Sequence, residues 1–177
     1  MQYINHYQSP IGGITMASNG DALTGLWFDG QKYFAAGLQQ NAITKNLLIF
    51  TETKRWLDIY FSGTMPHFTP PFHLEGTPFR MAVWQTLQKI PYGSTITYGD
   101  IAKLLAAQKS NAKISSQAVG GAVGHNPISI IIPCHRVIGA NGNLTGYAGG
   151  IDKKIKLLQL EGINTSNFSI PQKGTAL

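Results

Sequence analysis

Ile130-Ile131-Ile132-Pro133-Cys134-His135-Arg136-Val137-Ile138-Gly139 holds the single cysteine of this 177-residue chain. Three consecutive isoleucines, stopped by a proline that cannot extend a sheet ladder, predict a short buried strand ending at the thiol. Such an element would hold the sulfur rigidly, with an imidazole and a guanidinium in the next two positions. A thiol reacts as its thiolate, a minor species for a free cysteine with a pKa of about 8.5. A cationic or proton-accepting neighbour raises that fraction. The commoner fate of a lone cysteine is to fill space as a small buried hydrophobe. A His-Arg pair adds nothing to that role.

Working outward, residues 139–150 form a glycine-dense loop of the kind that lets backbone N–H and C=O groups face a ligand. A helix is expected over 153–160, with Ile151, Ile155 and Leu158 inward, Glu161 at its C-terminus and Gly162 as the stop. The polar tail from Asn164 is expected to fray. On the other side of the cysteine, Thr77-Pro78 opens a helix whose inner face is Phe79, Val83, Leu87 and Ile90, closed by Pro91-Tyr92-Gly93. Thr97 and Asp100 have capping-box spacing, and Ile101, Leu104 and Leu105 follow as a buried face. A polar turn over 108–113, with Lys109 and Lys113 available to phosphates, leads to a second helix capped by Ser115 or Ser116. The pair reads as a helix–turn–helix.

That second helix is Gln117-Ala118-Val119-Gly120-Gly121-Ala122-Val123-Gly124, and its glycines give it poor helix propensity. A helix reading the major groove of DNA carries long polar side chains toward the base edges. This one offers mostly small residues, which suits close backbone approach to a minor groove. The competing reading is that Gly120 and Gly121 serve only tight packing inside the protein.

The first 75 residues carry a mixture of strand and helix periods and read as a separate α/β unit. Strands are expected over 3–7, 14–17 and 23–28 and an amphipathic helix over 46–61; the proline-rich stretch 65–78 reads as a linker. Domains are thus expected at 1–75 and 76–177. His67 and His73 have no partners at metal-ligand spacing. Hydrophobic residues make up 43% and charged residues 12%, the composition of an ordinary folded protein with fewer charges than usual. No stretch has the ~18 apolar residues of a membrane span, and no signal peptide is evident. One free thiol fits a reducing compartment, so a cytoplasmic location is expected. Fourteen basic against eight acidic side chains, a net charge of +6, favour a polyanionic partner.

Taken together, Tyr98, the small-residue helix, Asn126-Pro127, Pro133-Cys134-His135-Arg136 and Gly146-Tyr147-Ala148-Gly149-Gly150 give the chain a close resemblance to the O6-alkylguanine-DNA alkyltransferases, the methylated-DNA–protein-cysteine methyltransferases. The resemblance is strongest over 77–162 and extends to the first half only in general layout. It implies a mixed α/β (α+β) fold, with an N-terminal ribonuclease-H-like α/β domain followed by a mainly helical winged helix–turn–helix domain. It implies a protein that acts once, as a monomer and without a cofactor, on double-stranded DNA carrying O6-alkylguanine, with O4-alkylthymine as a further candidate substrate. Cys134 would be the alkyl acceptor, His135 its base acting through a water, and Glu161 the group that orients the imidazole. Tyr98 would face the flipped nucleotide and donate to the leaving guanine. Asn126, Val137, Tyr147, Ala148 and Gly149 would form the base pocket. The carbonyls of Cys134 and Val137 would accept from the guanine amino group, and the Ala148 amide would donate to O6. Ser115, Ser116, Gln117, Ala118, Gly120, Gly121 and Arg136 would meet the DNA.

The chain departs from the family pattern in three places. Gln117 stands where the family has an intercalating arginine, the helix–turn–helix turn is longer, and the ligands of the family's N-terminal zinc site have no counterparts, so no metal is expected. Two rival classes are a non-catalytic binder of alkylated DNA and a thiol hydrolase or redox sensor. The presence of Cys134 counts against the first. The second leaves the small-residue helix and the basic charge unexplained.

Overall fold

The computed structural model describes residues 1–109 and 112–170, and the chain divides into two compact units. The first comprises Met1–Leu74 together with Pro127–Ile131, and the second Glu75–Asn126 with Ile132–Leu177. No helix among the described residues is long and apolar enough to cross a membrane.

The first unit is built on a four-stranded sheet of order β3-β2-β1-β4. β1 (Tyr3–Ser9), β2 (Gly12–Ser18) and β3 (Leu23–Phe28) are antiparallel neighbours, and the short β4 (Ile43–Thr44) joins β1 in parallel. The central strand β2 buries Ile14, Met16 and Ala17. α1 (Leu48–Phe61) packs on β1 and buries Ile49, Phe50, Thr53, Trp56, Leu57 and Tyr60, with Trp56 stacked on Tyr60 at 5.3 Å. Its start is two residues later than periodicity suggests, because Leu47 occupies the cap position and offers no side-chain acceptor.

Two stretches of this unit differ from the sequence reading. Part of 65–78 is tied to the sheet edge and is not a free linker: Leu23 N–H donates to the Pro71 carbonyl (2.9 Å) and His73 N–H to the Leu23 carbonyl (2.7 Å). Proline lacks a donor but keeps its acceptor, so this segment can pair through alternate groups. The isoleucine run is not a strand. Only Ile128 bridges to Leu26, after which Ile130 takes φ +70° and the chain turns back on itself. Ile130 and Ile132 are buried as expected. An apolar run reports burial, and it cannot by itself report whether a neighbouring strand exists.

The second unit holds α2 (Pro78–Leu87), α3 (Tyr98–Gln108), α4 (Ser116–Gly124) and α5 (Ile151–Leu160). The expected caps are in place: Thr77 accepts from Arg80 N–H, Thr97 from Asp100 N–H, and Ser115, not Ser116, from Ala118 N–H. The turn expected over 108–113 lies partly outside the described residues. Trp84 Nε1 donates to the Ala122 carbonyl in the interior (2.9 Å), tying α4 to α2. A bond of that kind is worth about 1 kcal/mol net, which helps offset the glycines of α4. β5 (Ile96–Thr97) pairs in parallel with β6 (Val137–Ile138), and this two-residue ladder sets the first residue of α3 beside the turn that carries the cysteine.

The tail does not fray at Asn164. Leu144 N–H donates to the Ser169 carbonyl and Ser169 N–H to the Gly142 carbonyl, while Phe168 packs on a small core of Ile138, Leu144 and Leu158. Burial of Phe168 outweighs the polar composition of the residues before it.

Gly25 tests the packing of the first unit. A Cβ there would lie 1.9 Å from the ring of Trp27, which is buried and has little room to move. Gly25→Ala is expected to destabilise the protein by about 1–3 kcal/mol through overpacking, read as a lower urea midpoint at unchanged slope.

Candidate active site

Cys134 opens a single 3₁₀ turn, Cys134–Arg136, whose three side chains are all buried. A turn this tight needs only three residues, and it directs consecutive side chains to different neighbours. Asn126, just past the C-terminus of α4, makes two bonds from one amide. Its Nδ2 donates to the Ile132 carbonyl (2.8 Å) and to Cys134 Sγ (3.2 Å). The same side chain therefore pins the chain where it re-enters this unit and aims a donor at the sulfur.

His135 is fully buried, and its Nε2 lies 2.6 Å from Glu161 Oε1. A carboxylate only accepts, so Nε2 carries the proton and Nδ1 keeps the lone pair. Arg136 makes a two-pronged contact with the same carboxylate, Nε to Oε2 at 2.9 Å and Nη2 to Oε1 at 3.0 Å. Its Nη1 donates to the Ile90 carbonyl at 2.7 Å. Gly93 N–H adds a further bond to Oε2, at 3.1 Å. Gly93 sits at φ +72°, and a Cβ there would come within 3.1 Å of the Glu161 carbonyl, so both conformation and space call for glycine.

These contacts set the charges. Burial alone would raise the Glu161 pKa, but the hydrogen bonds and charges of His135 and Arg136 reverse it and bring it down to about 2. Burial pulls the His135 pKa below its ordinary value against the opposing pull of Glu161, which keeps the imidazole neutral and able to accept. The Cys134 thiol is pushed up by burial, with partial relief from the Asn126 hydrogen bond and from Lys154. This reverses one expectation. The basic neighbours do not supply a standing thiolate, because Arg136 is spent on Glu161 and the sulfur is out of water.

Around the sulfur, Tyr98 at the start of α3 is buried, and its hydroxyl is 3.0 Å from the carbonyls of both Thr145 and Gly146. Burial and the nearby thiol raise its pKa, so it remains a donor at neutral pH. Tyr147 is buried in the same loop, with its pKa raised by burial and by the charges of Cys134 and Glu161.

Comparison with known proteins settles the ancestry. Residues 3–74 match the ribonuclease-like domain, and residues 78–163 the DNA-binding domain, of 6-O-methylguanine DNA methyltransferase. The chain is 45% identical over 161 residues to the methylated-DNA–protein-cysteine methyltransferase of Methanosarcina acetivorans, covering 90% of this chain and 98% of that one. The chain belongs to the methylated-DNA–protein-cysteine methyltransferase family. A relative of the same name from Haemophilus influenzae is 41% identical, with 91% of this chain and 87% of that one covered. The crystal structure of the Mycobacterium tuberculosis O6-methylguanine methyltransferase superposes with a TM-score of 0.78 at 40% identity, covering 98% of this chain and 97% of that one. The Mycobacterium tuberculosis protein in complex with DNA gives 0.76 at 42% identity, covering 90% and 92%.

In this methyltransferase-family chain the structure gathers Cys134, His135, Glu161, Asn126, Tyr98, Val137 and Tyr147 in the second unit. Ala148 and Gly149 are half-buried in the loop beside them. Ser115, which caps α4, and Ser116, Gln117, Ala118 and Gly121 in its first two turns are exposed. Gly120 is half-buried and lies over the Tyr98 ring, whereas a Cβ at Gly121 would meet nothing. A Cβ at Gly120 would make only an ordinary van der Waals contact with that ring at 3.8 Å, so internal packing demands neither glycine. Arg136 is the correction: it was expected at the DNA, but it is buried, with its guanidinium committed to Glu161 and Ile90 and lying over the Tyr92 ring.

One residue escaped the sequence reading. Lys154 is completely buried, and its Nζ donates to the carbonyls of Val137 and Thr145. It sits in a run with Asp152, Lys153 and Lys156 that reads as a solvated helix face. The only hint was its spacing, which puts it one turn ahead of the inward-facing Leu158.

Glu161→Gln should cost about 3–5 kcal/mol at neutral pH, the cost of leaving the Arg136 charge buried without its partner. The sign with pH follows from a depressed carboxylate pKa: its contribution is complete above about pH 4.5 and disappears as pH falls toward 2. Chemical denaturation across that window is expected to show a steeper loss for wild type than for the variant.

Proposed function

We propose that this chain repairs DNA by moving an alkyl group, most simply methyl, from O6 of guanine to the sulfur of Cys134, once per molecule. The observation that carries the reading is the buried Cys134 beside a neutral His135 whose tautomer is fixed by Glu161. This is the nucleophile, base and orienting group of covalent catalysis. Family membership supports it, since the relatives above are named for methylated DNA as substrate and cysteine as acceptor.

The thiol is protonated at rest, so the first step is removal of its proton by His135 Nδ1, relayed by a water. The thiolate then attacks the alkyl carbon in line with O6: an S–C bond forms, the C–O6 bond breaks, and the electron pair leaves on guanine. Tyr98 supplies a proton to that anion, exchanging its present loop carbonyls for the purine. The proton held by His135 balances the one given up by Tyr98, leaving a thioether and an unmodified guanine. A thioether has no easy hydrolysis route, which is the chemical reason for a single turnover.

The target atom lies inside the duplex, so the nucleotide must rotate out at a cost of a few kcal/mol, less for a damaged pair. The exposed small-residue face of α4 suits a minor groove, and Gln117 on its first turn suits the space left behind. Glutamine can hydrogen-bond to the orphaned base but lacks the charge and reach of arginine. We take the protein to act as a monomer in the cytoplasm, where a lone thiol remains reduced.

Mass spectrometry after incubation with an O6-methylguanine duplex is expected to show one methyl on the Cys134 peptide, with lesion consumed to one equivalent of protein. Repair of many lesions per molecule, or repair by Cys134→Ser, would refute the reading. Separately, Gln117→Arg is expected to speed transfer from duplex DNA while leaving transfer from free O6-methylguanine unchanged. Equal effects on both substrates would remove Gln117 from base displacement.

A further inference from the structure

Among the described residues, Lys154 is the one buried charge left unpaired and without a task by the mechanism above. Its Nζ is held by two backbone carbonyls, Val137 at 2.5 Å and Thr145 at 2.9 Å, and lies 5.9 Å from the centre of the Tyr98 ring. Among the described residues no carboxylate pairs with it; the buried carboxylate nearby, Glu161, is taken up by His135 and Arg136. Carbonyl dipoles can solvate an ammonium, but they do not balance its charge. Burying an unbalanced ammonium is strongly unfavourable. An arrangement that holds such a charge on the Val137 carbonyl, three residues after the nucleophile, is explained if the nucleophile becomes the missing anion.

We propose that Lys154 is a positioning residue whose ammonium is the counter-charge of the Cys134 thiolate, formed when the thiol proton leaves, and whose two carbonyl bonds hold the Val137 and Thr145 backbone against the reacting base. This rests on the reading of Cys134 as the acceptor. The groups facing the pair are Tyr98 from α3, His135 on the same turn as the sulfur, and Tyr147 from the loop; Arg136 is neutralised by Glu161. Electrostatics agree in both directions. Burial lowers the Lys154 pKa to about 8, and the charge that works against this loss is Cys134. Lys154 in turn lowers the thiol against its burial, and it discourages protonation of His135. One cation therefore favours the thiolate and keeps the base unprotonated.

The protons balance without an added reactant. The thiol proton goes to His135, Lys154 keeps its own throughout, and the negative charge moves from sulfur to guanine as the S–C bond forms.

The test is Lys154→Gln, which keeps a hydrogen-bond donor and removes the charge, with Lys154→Arg as the conservative variant. The rate of Cys134 alkylation by iodoacetamide, followed against pH, reads the thiol pKa without DNA. In Lys154→Gln that pKa is expected to rise by about one unit or more, with recovery in Lys154→Arg. Methyl transfer from an O6-methylguanine duplex is expected to fall about tenfold at pH 7, with the deficit closing as pH rises. A purely structural role would lower transfer equally at every pH and leave the thiol pKa in place, and that result overturns the proposal. Should Lys154→Gln fail to fold, NMR of lysine side chains in wild type and Cys134→Ser decides the matter. Lys154 is expected to lose its proton at lower pH in Cys134→Ser, and coincident titrations would refute the pairing. Should wild type show the thiol shift but never acquire a methyl group, the proposed function fails and the ion pair stands.

Discussion

Glu161 accepts from the His135 imidazole, from two nitrogens of Arg136 and from the Gly93 amide, all inside the protein. An isolated carboxylate in that position would be expelled or protonated; four donors make it a stable anion. The consequences reach outward from there. The anion fixes the tautomer of His135, and so decides which nitrogen is basic. It also takes up the charge of Arg136, leaving that side chain as a brace between the α5 terminus and Ile90 rather than a contact for phosphate. Its position just past the last turn of α5 means that the helix must dock correctly before the base is set. Folding of the second unit and assembly of its chemistry are thus one event.

The glycine-rich loop is held by its own backbone bonds and by side chains that reach into it from α3 and α5. The Thr145 carbonyl accepts from both Tyr98 and Lys154, and the Gly146 carbonyl lies within reach of Tyr98. Glycine at 146, with φ +63°, lets consecutive carbonyls turn toward that one hydroxyl. The two-residue ladder of β5 and β6 supplies the other constraint, fixing Thr97 beside Ile138 so that Tyr98 arrives at the loop. The fold thereby brings α3, the cysteine turn, the loop and α5 to one place through short elements, none of which would be stable alone.

What could be read from the sequence divides along physical lines. Helix starts were legible because a cap is a local bond: Thr77, Thr97 and Ser115 each accept from an amide three residues on. The Cys134, His135 and Glu161 grouping was implied by the resemblance to the alkyltransferases. Arg136 was misplaced because an arginine beside a reactive cysteine suggests solvent and phosphate, while its partner lies 25 residues away. Lys154 was missed for the same reason, its partners being backbone carbonyls that no side-chain pattern records. Burial of a charge is a tertiary fact. The isoleucine run and the proline-rich segment show the complement: apolarity and proline content were read correctly, but the pairing partner at Leu26 or Leu23 was not visible in either.

The depth of Cys134 has a chemical logic of its own. An exposed thiolate beside basic groups would react with any passing electrophile or oxidant, and a protein that acts once, as proposed, cannot recover from a misspent sulfur. Here burial raises the thiol pKa, and the groups that lower it again, Asn126 and Lys154, lie within the second unit, as does His135, the proposed base. On the proposed mechanism, reactivity then depends on what reaches the sulfur, and a flat purine that satisfies the surrounding carbonyls and amides is the ligand these backbone groups suit. A slow resting nucleophile is therefore the selective arrangement. Its cost is that the sulfur must be ionised while water is excluded, which is the condition under which a nearby fixed cation has its greatest effect.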